Sequence, residues 1–233
     1  MTIRIRITIA VALLVAAGPA TAETVYIDAV QDTTLIEESE GGLANGSGPV
    51  LFVGRTNQRM HSVRRGLVYF DVAEVLPRNA RVDGVRLTLY MSPSNPSPHG
   101  IGLHRLLDEW GEGDSYASGG GGDFSAPGDA TWVHTFYDDE FWTTPGGQFV
   151  ARASASREVA ASDYYTWEGD RRMLADVRLW LAAPHRNFGW ILIGDETAPQ
   201  TVKSFASREE ADPSVRPLLE VTYHLPGHER QRR

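Results

Sequence analysis

The sequence predicts an all-β fold, an antiparallel β-sandwich of jelly-roll type with one short helix and a long loop rich in tryptophan and glycine. Three observations carry that expectation. Roughly nine or ten short segments show the alternation of strands that bury one face, and clusters of Gly, Pro, Asn and Ser separate them. Only one stretch has helical spacing. No internal repeat or compositional break divides the chain, so a single domain is expected over residues 23–224.

Residues 24–30 alternate, and Leu35-Ile36 follows a short polar break, giving two short strands or one bent strand. Residues 37–49, EESEGGLANGSGP, form a turn-rich loop, and 50–54 return to strand. The clearest strands are 66–72 and 84–91, joined by a turn at 76–80. In the second, Val85, Leu87, Leu89 and Met91 share one face while Arg86, Thr88 and Tyr90 share the other, as in a half-buried antiparallel strand. The Pro-rich linker 92–98 leads to a strand at 101–106. Further on, 164–167 reads as strand. Residues 171–183 read as a helix with Met173, Leu174, Val177 and Leu181 on one face and Pro184 as its stop. Residues 188–193, 202–206 and 218–223 close the sandwich, the last with Leu219, Val221 and Tyr223 inward.

Between these strands lies the unusual segment 107–149, which holds Trp110, Trp132 and Trp142, three of the six tryptophans. It has no apolar period long enough for a helix. Loops beyond about 12–15 residues are uncommon in compact domains and usually functional or disordered. Disordered segments are poor in aromatics, so this one is expected to be ordered and pinned by its own rings.

Residues 1–22 read as a secretory signal peptide. Arg4 and Arg6 precede an apolar core over 7–17, and Ala20-Thr21-Ala22 offers a small-residue cleavage site. The core is shorter than the ~20 apolar residues that span a bilayer, and no later stretch approaches that length. No transmembrane segment is expected, and the protein is expected to be secreted, whether periplasmic, at the cell surface or extracellular. Residues 225–233 are expected to be a disordered basic tail. There are no cysteines, so burial alone must hold the fold. The formal net charge of −8 excludes general nucleic-acid binding, and removal of the leader makes it more negative. Every basic residue apart from His is arginine except Lys203.

No nucleophile elbow, HExxH, Walker-type loop or cysteine nucleophile is present. His104 and His134 read as structural, and Asp108, Glu109, Glu112, Asp114, Asp138, Asp139 and Glu140 read as a solvated acidic loop rather than a catalytic carboxylate pair. Asp28, Asp32, Asp114, Asp123 and Asp129 are the oxygen donors a structural calcium would draw on, but no DxDxDG loop is present and no cofactor is expected. Residues 41–70 contain no acid yet carry Arg55, Arg59, Arg64 and Arg65, a candidate anion-facing patch, because guanidinium forks match carboxylate and sulfate. Trp142 and Tyr137 are the candidate rings for stacking on sugar.

The succession NGSGPVLFVG, RRGLVYFDV, LPRNARVDGVRLTLY, EWGEG, GDATW, WTTPGG, NFGWILIG and SFASREEADPSVRPLLEVTY resembles the DNRLRE domain, also called the disaggregatase-related repeat and grouped with carbohydrate-binding module family 96. The resemblance spans about 25–223, and Ser207-Arg208-Glu209 with Arg216-Pro217 is its most specific part. It implies a jelly-roll sandwich on secreted or surface proteins, typically non-catalytic, some of them binding acidic polysaccharides such as alginate. It also places Trp110, Glu112 and Trp132 in a structural framework with those motif residues. Members often adjoin a lyase or hydrolase module, whereas this domain fills the sequence. The expected function is therefore a secreted, non-catalytic binder of acidic polysaccharide or cell-envelope glycan. The alternatives are a structural or adhesive surface protein and a small polysaccharide lyase.

The leader generates the first prediction. The exported protein begins at Glu23, and an intact mass that retains residues 1–22 would contradict it.

Overall fold

The computed structural model describes residues 21–169 and 171–226. The signal peptide expected over residues 1–22 lies outside them except for Thr21 and Ala22, and the tail expected over 225–233 lies outside them from residue 227 onward.

The chain runs through β1 (Glu23–Asp28), β2 (Gln31–Ile36), β3 (Leu43–Ala44), β4 (Val50–Arg55), β5 (Val63–Tyr69), the one-turn helix α1 (Val72–Val75) and β6 (Arg81–Met91). There follow β7 (His99–Arg105), β8 (Asp123–Phe124), β9 (His134–Phe136), β10 (Glu140–Phe141), β11 (Ala155–Val159) and β12 (Asp163–Glu168). Helix α2 (Arg171–Ala182), β13 (Trp190–Ile193), β14 (Lys203–Ala206) and β15 (Leu218–His224) complete the domain.

The pairings are antiparallel. β6 is central to one layer, flanked by β15 along Arg81 to Thr88 and by β12 along Arg86 to Met91; β1 adds outside β15 and β14 meets β6 at Phe205 opposite Met91. The other layer is ordered β2, β5, β13, β7, β11. β4 belongs to both. Residues 50–53 pair with β14, then Gly54 and Arg55 pair with β5. The switch occurs at Gly54, whose φ of 115° is open to glycine and where a Cβ would lie 2.9 Å from the Thr201 carbonyl oxygen.

Alternation puts Leu51, Leu87, Leu89, Phe205, Leu219 and Val221 from the first layer against Val68, Leu103, Trp190 and Leu192 from the second. α2 adds Met173, Val177 and Trp180, with the Trp180 and Trp190 ring centroids 4.4 Å apart. The buried helix face is thus rotated from the one expected. Trp180 takes the place given to Leu181, because the larger ring fills the space beside Trp190, and Leu174 and Leu181 are only partly buried.

The second layer is apolar on its outer side too. Leu35, Leu67 and Ile191 point away from the main core and meet Leu106, Trp110, Ala130 and Trp142 from the long excursion. The ends of that excursion are tied, with Leu106 bridging Phe149 and the Leu107 N–H donating to the Gln148 carbonyl at 2.9 Å. Trp110 is 3% exposed and donates its indole N–H to the Phe188 carbonyl; Trp142 is 4% exposed and donates to the Thr131 carbonyl. The segment is not wholly irregular. β8 pairs with β3 and β9 with β10, in stretches too short to show a period.

The sequence pattern does not reveal β11, and the reason is physical. It is an edge strand that buries only Ala155 and Val159, so ASREV has no alternation to detect. α1 replaces the end of a strand, with the Asp71 carboxylate capping the Glu74 N–H. Lys203, in β14, is fully buried, and its Nζ donates to the carbonyls of Asn95, Ser97 and Ala160 at 2.5, 2.6 and 3.1 Å. No described helix is long and apolar enough to cross a membrane.

Because both rings are buried, Trp110→Ala and Trp142→Ala should each destabilise by about 3–5 kcal/mol, as deletions of core aromatics do. Urea unfolding would show both midpoints falling. An unchanged midpoint for Trp142→Ala would refute its role in the covering layer.

Candidate functional site

A groove of about 390 Å³ opens where the hairpin loop between β4 and β5 faces the long excursion. Arg55 and Arg59 line it with Trp132, His61, Glu37 and Glu38. The hairpin loop is closed by the Thr56 N–H on the Ser62 carbonyl at 2.8 Å, and His61 takes the left-handed φ of 53° that turns the chain back into β5.

The four expected arginines divide. Arg64 is 1% exposed and donates to the carbonyls of Gly120 (2.6 Å), His61 (2.6 Å) and Val63 (2.8 Å), tying the hairpin loop to the glycine-rich run at 119–122. Burial pushes its guanidinium down to about 10, still charged at neutral pH. Arg65 forms a fork with Glu196 at 2.7 and 2.9 Å, donates to the Gly146 carbonyl, and stacks 4.8 Å from the Trp132 ring centroid. Both are internal fasteners, so the anion-facing role expected of Arg64 and Arg65 is corrected. Strand alternation in β5 turns the one inward toward the loop and the other under the indole.

Arg55 and Arg59 remain. Arg55 donates to Ser62 Oγ at 3.0 Å and to the Glu196 carbonyl at 3.2 Å. Arg59 is exposed and makes no hydrogen bond or ion pair with another described residue. The patch is acid-free only along the chain. In space, the Glu37 carboxylate accepts the N–H groups of Ser62 and Val63 at 2.8 and 3.0 Å, and Glu38 accepts those of Glu40 and Gly42. Partial burial pushes both carboxyls up, but these backbone donors outweigh it and hold them below the usual range. The groove therefore carries charges of both signs.

The rings are exchanged relative to expectation. Trp142 is buried and offers no face to a sugar, whereas Trp132, expected in the framework, is partly exposed and lines the groove. Tyr137 packs edge-on against His134, with ring centroids 5.1 Å apart, and does not line it. A larger cleft of about 450 Å³ lies beside Tyr69, Glu109, Trp110 and Phe136 and has no arginine in its lining.

The motif residues converge elsewhere, on a second cluster. Arg208 Nε and Nη2 donate to Glu112 Oε1 and Oε2 at 2.6 and 2.8 Å, and Arg208 Nε lies 2.9 Å from Glu209 Oε1. Ser207 Oγ donates to the Gly48 carbonyl at 2.8 Å. Asp32, from β2, joins them. Its N–H donates to Glu112 Oε1 at 2.8 Å, and its Oδ2 accepts the Arg208 N–H at 2.7 Å. Asp32 is fully buried, and burial, then the Glu209 carboxylate, pushes its carboxyl well above the ordinary range. Burial and Glu112 likewise raise Glu209. Among the described residues, Asp32, Glu112 and Glu209 are the group whose oxygens lie close enough to share a cation, all within 4.8 Å of one another. Of the other aspartates expected as calcium donors, Asp28, Asp114 and Asp123 are exposed and outside this group, and Asp129 is spent on the N–H groups of Ala126 and Ser115. Arg216 lies apart, its Nε donating to the Glu210 carbonyl at 2.7 Å ahead of Pro217.

No protein-family model and no curated protein matches the chain.

Glu37 provides a test of the groove's construction. A carboxyl held below its unfolded value contributes stability that is present above that value, about pH 4.3, and lost as pH falls through it and then the folded value. Glu37→Gln should thus lower the urea midpoint at pH 7, and the gap to wild type should close as pH falls below about 4.3 and through the folded carboxyl's lower value. A gap that persists unchanged into acid would argue against the charged cap.

Proposed function

We propose that the protein is a secreted, non-catalytic β-sandwich that binds an acidic polysaccharide or cell-envelope glycan in the Trp132 groove. One observation carries the reading: the exposed Arg59 guanidinium, free of a described partner, shares a groove with a partly exposed indole. A sugar's C–H face packs on an indole as other apolar surfaces do. Its hydroxyls both donate and accept, so they suit a lining of ionised Glu37 and Glu38 beside Arg55. A uronate carboxylate would take the fork of Arg59. The motif resemblance to the DNRLRE domain agrees with this reading and with a jelly-roll winding, and it adds alginate-like chains to the glycans worth testing. Nothing in the groove is assigned a bond-breaking step.

Binding of the mature protein to alginate and to a glycan array, by affinity electrophoresis or calorimetry, tests the proposal. Arg59→Gln removes a charge-assisted hydrogen bond worth about 1.5–3 kcal/mol, roughly a ten- to hundredfold loss of affinity. Trp132→Ala should weaken binding similarly, with the far-UV spectrum and a cooperative urea transition confirming a native fold. Unchanged affinity in both variants would remove the site from this groove. Failure to bind any glycan would favour a structural or adhesive role, and new unsaturated ends in the polymer would favour a lyase.

A further inference from the structure

The Asp32 cluster takes no part in the groove, and its composition asks for something the side chains do not provide. Asp32, Glu112 and Glu209 come from β2, from the excursion after β7 and from the turn after β14, and their oxygens gather within 4.8 Å. Arg208 is the one cation among them, so three carboxylates face a single positive charge. With all three ionised, an excess of two negative charges would surround a wholly buried aspartate. Folding normally disperses such groups, because carboxylates removed from water repel one another strongly unless each is paired. A second observation is independent of charge. Asp32 is 0% exposed, its Oδ2 is engaged by the Arg208 N–H, and its Oδ1 is sealed from solvent with no hydrogen-bond partner. A buried acceptor without a partner is rare and costly, and coordination of an ion is one way a protein satisfies it.

We propose that Asp32, Glu112 and Glu209 bind a calcium ion, with Asp32 Oδ1 as one ligand. A divalent cation matches the excess of two negative charges. The donors are all hard oxygens, with no imidazole or thiolate of the kind that selects zinc or copper. Calcium bonds oxygen at about 2.3–2.6 Å, so ligands up to roughly 4.6–5.2 Å apart can share it across its diameter, whereas magnesium at about 2.0–2.1 Å demands a tighter, near-octahedral shell. The observed spread fits calcium without drawing the strands together. Arg208 stays on Glu112, orienting that carboxylate as supporting hydrogen bonds do around metal sites. The ion would join three segments far apart in sequence, a cross-link suited to an exported chain without cysteines.

The test uses the mature protein freed of metal by chelation. Titration calorimetry with calcium chloride should give one site, and the melting temperature should rise with calcium concentration, as binding to the native state alone requires. Magnesium should bind more weakly and zinc should produce no matching shift. Asp32→Asn and Glu209→Gln should each weaken calcium binding at least tenfold. Glu209→Gln keeps the experiment decisive if Asp32→Asn fails to fold, because Asp32 also accepts the Arg208 N–H. Absence of both heat and melting shift up to about 10 mM calcium, roughly tenfold above the weakest extracellular modules, would overturn the proposal. So would wild-type calcium affinity in a folded variant, or tighter binding of magnesium than of calcium.

Discussion

The second sheet is apolar on both faces, and that constraint shapes the rest of the molecule. β5 and β13 direct Val68, Trp190 and Leu192 into the sandwich while Leu67 and Ile191 face outward. Strands of this kind cannot stand at a water surface, since each exposed aliphatic side chain forgoes about 1.5–3 kcal/mol of burial. A long excursion is the cover. Its length and composition follow from the area it must seal. The rings of Trp110 and Trp142 supply bulk, and glycines let the backbone fold closely over itself. At Gly111, for instance, a Cβ would fall 1.9 Å from the Gly128 carbonyl oxygen.

The cover also sets out the surface chemistry. Its Trp132 reaches the groove because the Gly146 N–H holds the Trp132 carbonyl at 2.6 Å and Arg65 supports the ring from beneath. Arg65 in turn is fixed by Glu196, from the loop after β13. The indole is thus braced by three segments, whereas Arg59 extends from the hairpin loop with no partner among the described residues. A ring held in this way would spare a ligand stacked on it the cost of ordering that side chain.

The layered fold was legible because β6 and β15 alternate cleanly, and because clusters of turn residues separate the strands on either side of the long excursion. The edge strand β11 was not, since an edge with two buried positions has no period. Charge patterning along the chain misleads about the site: residues 41–70 are acid-free, but Glu37, Glu38 and Glu196 arrive from outside the window. Trp132 and Trp142 lie ten positions apart in one segment, and local sequence says nothing about which ring meets the sheet. The Asp32 cluster was half legible. Glu112, Arg208 and Glu209 stood out as motif residues, but their meeting with Asp32 depends on three long-range pairings that no local pattern encodes.

Lys203 is the single lysine of the sequence, and it is locked away with its three donors spent on the carbonyls of the Pro-rich linker and the turn before β12. Burial lowers its basicity, yet an acylating reagent still cannot approach the nitrogen while those contacts hold. Lysine acylation of this protein is therefore a clock for the opening of one joint. Its rate counts how often the linker lifts from β14, and needs no introduced probe to do so.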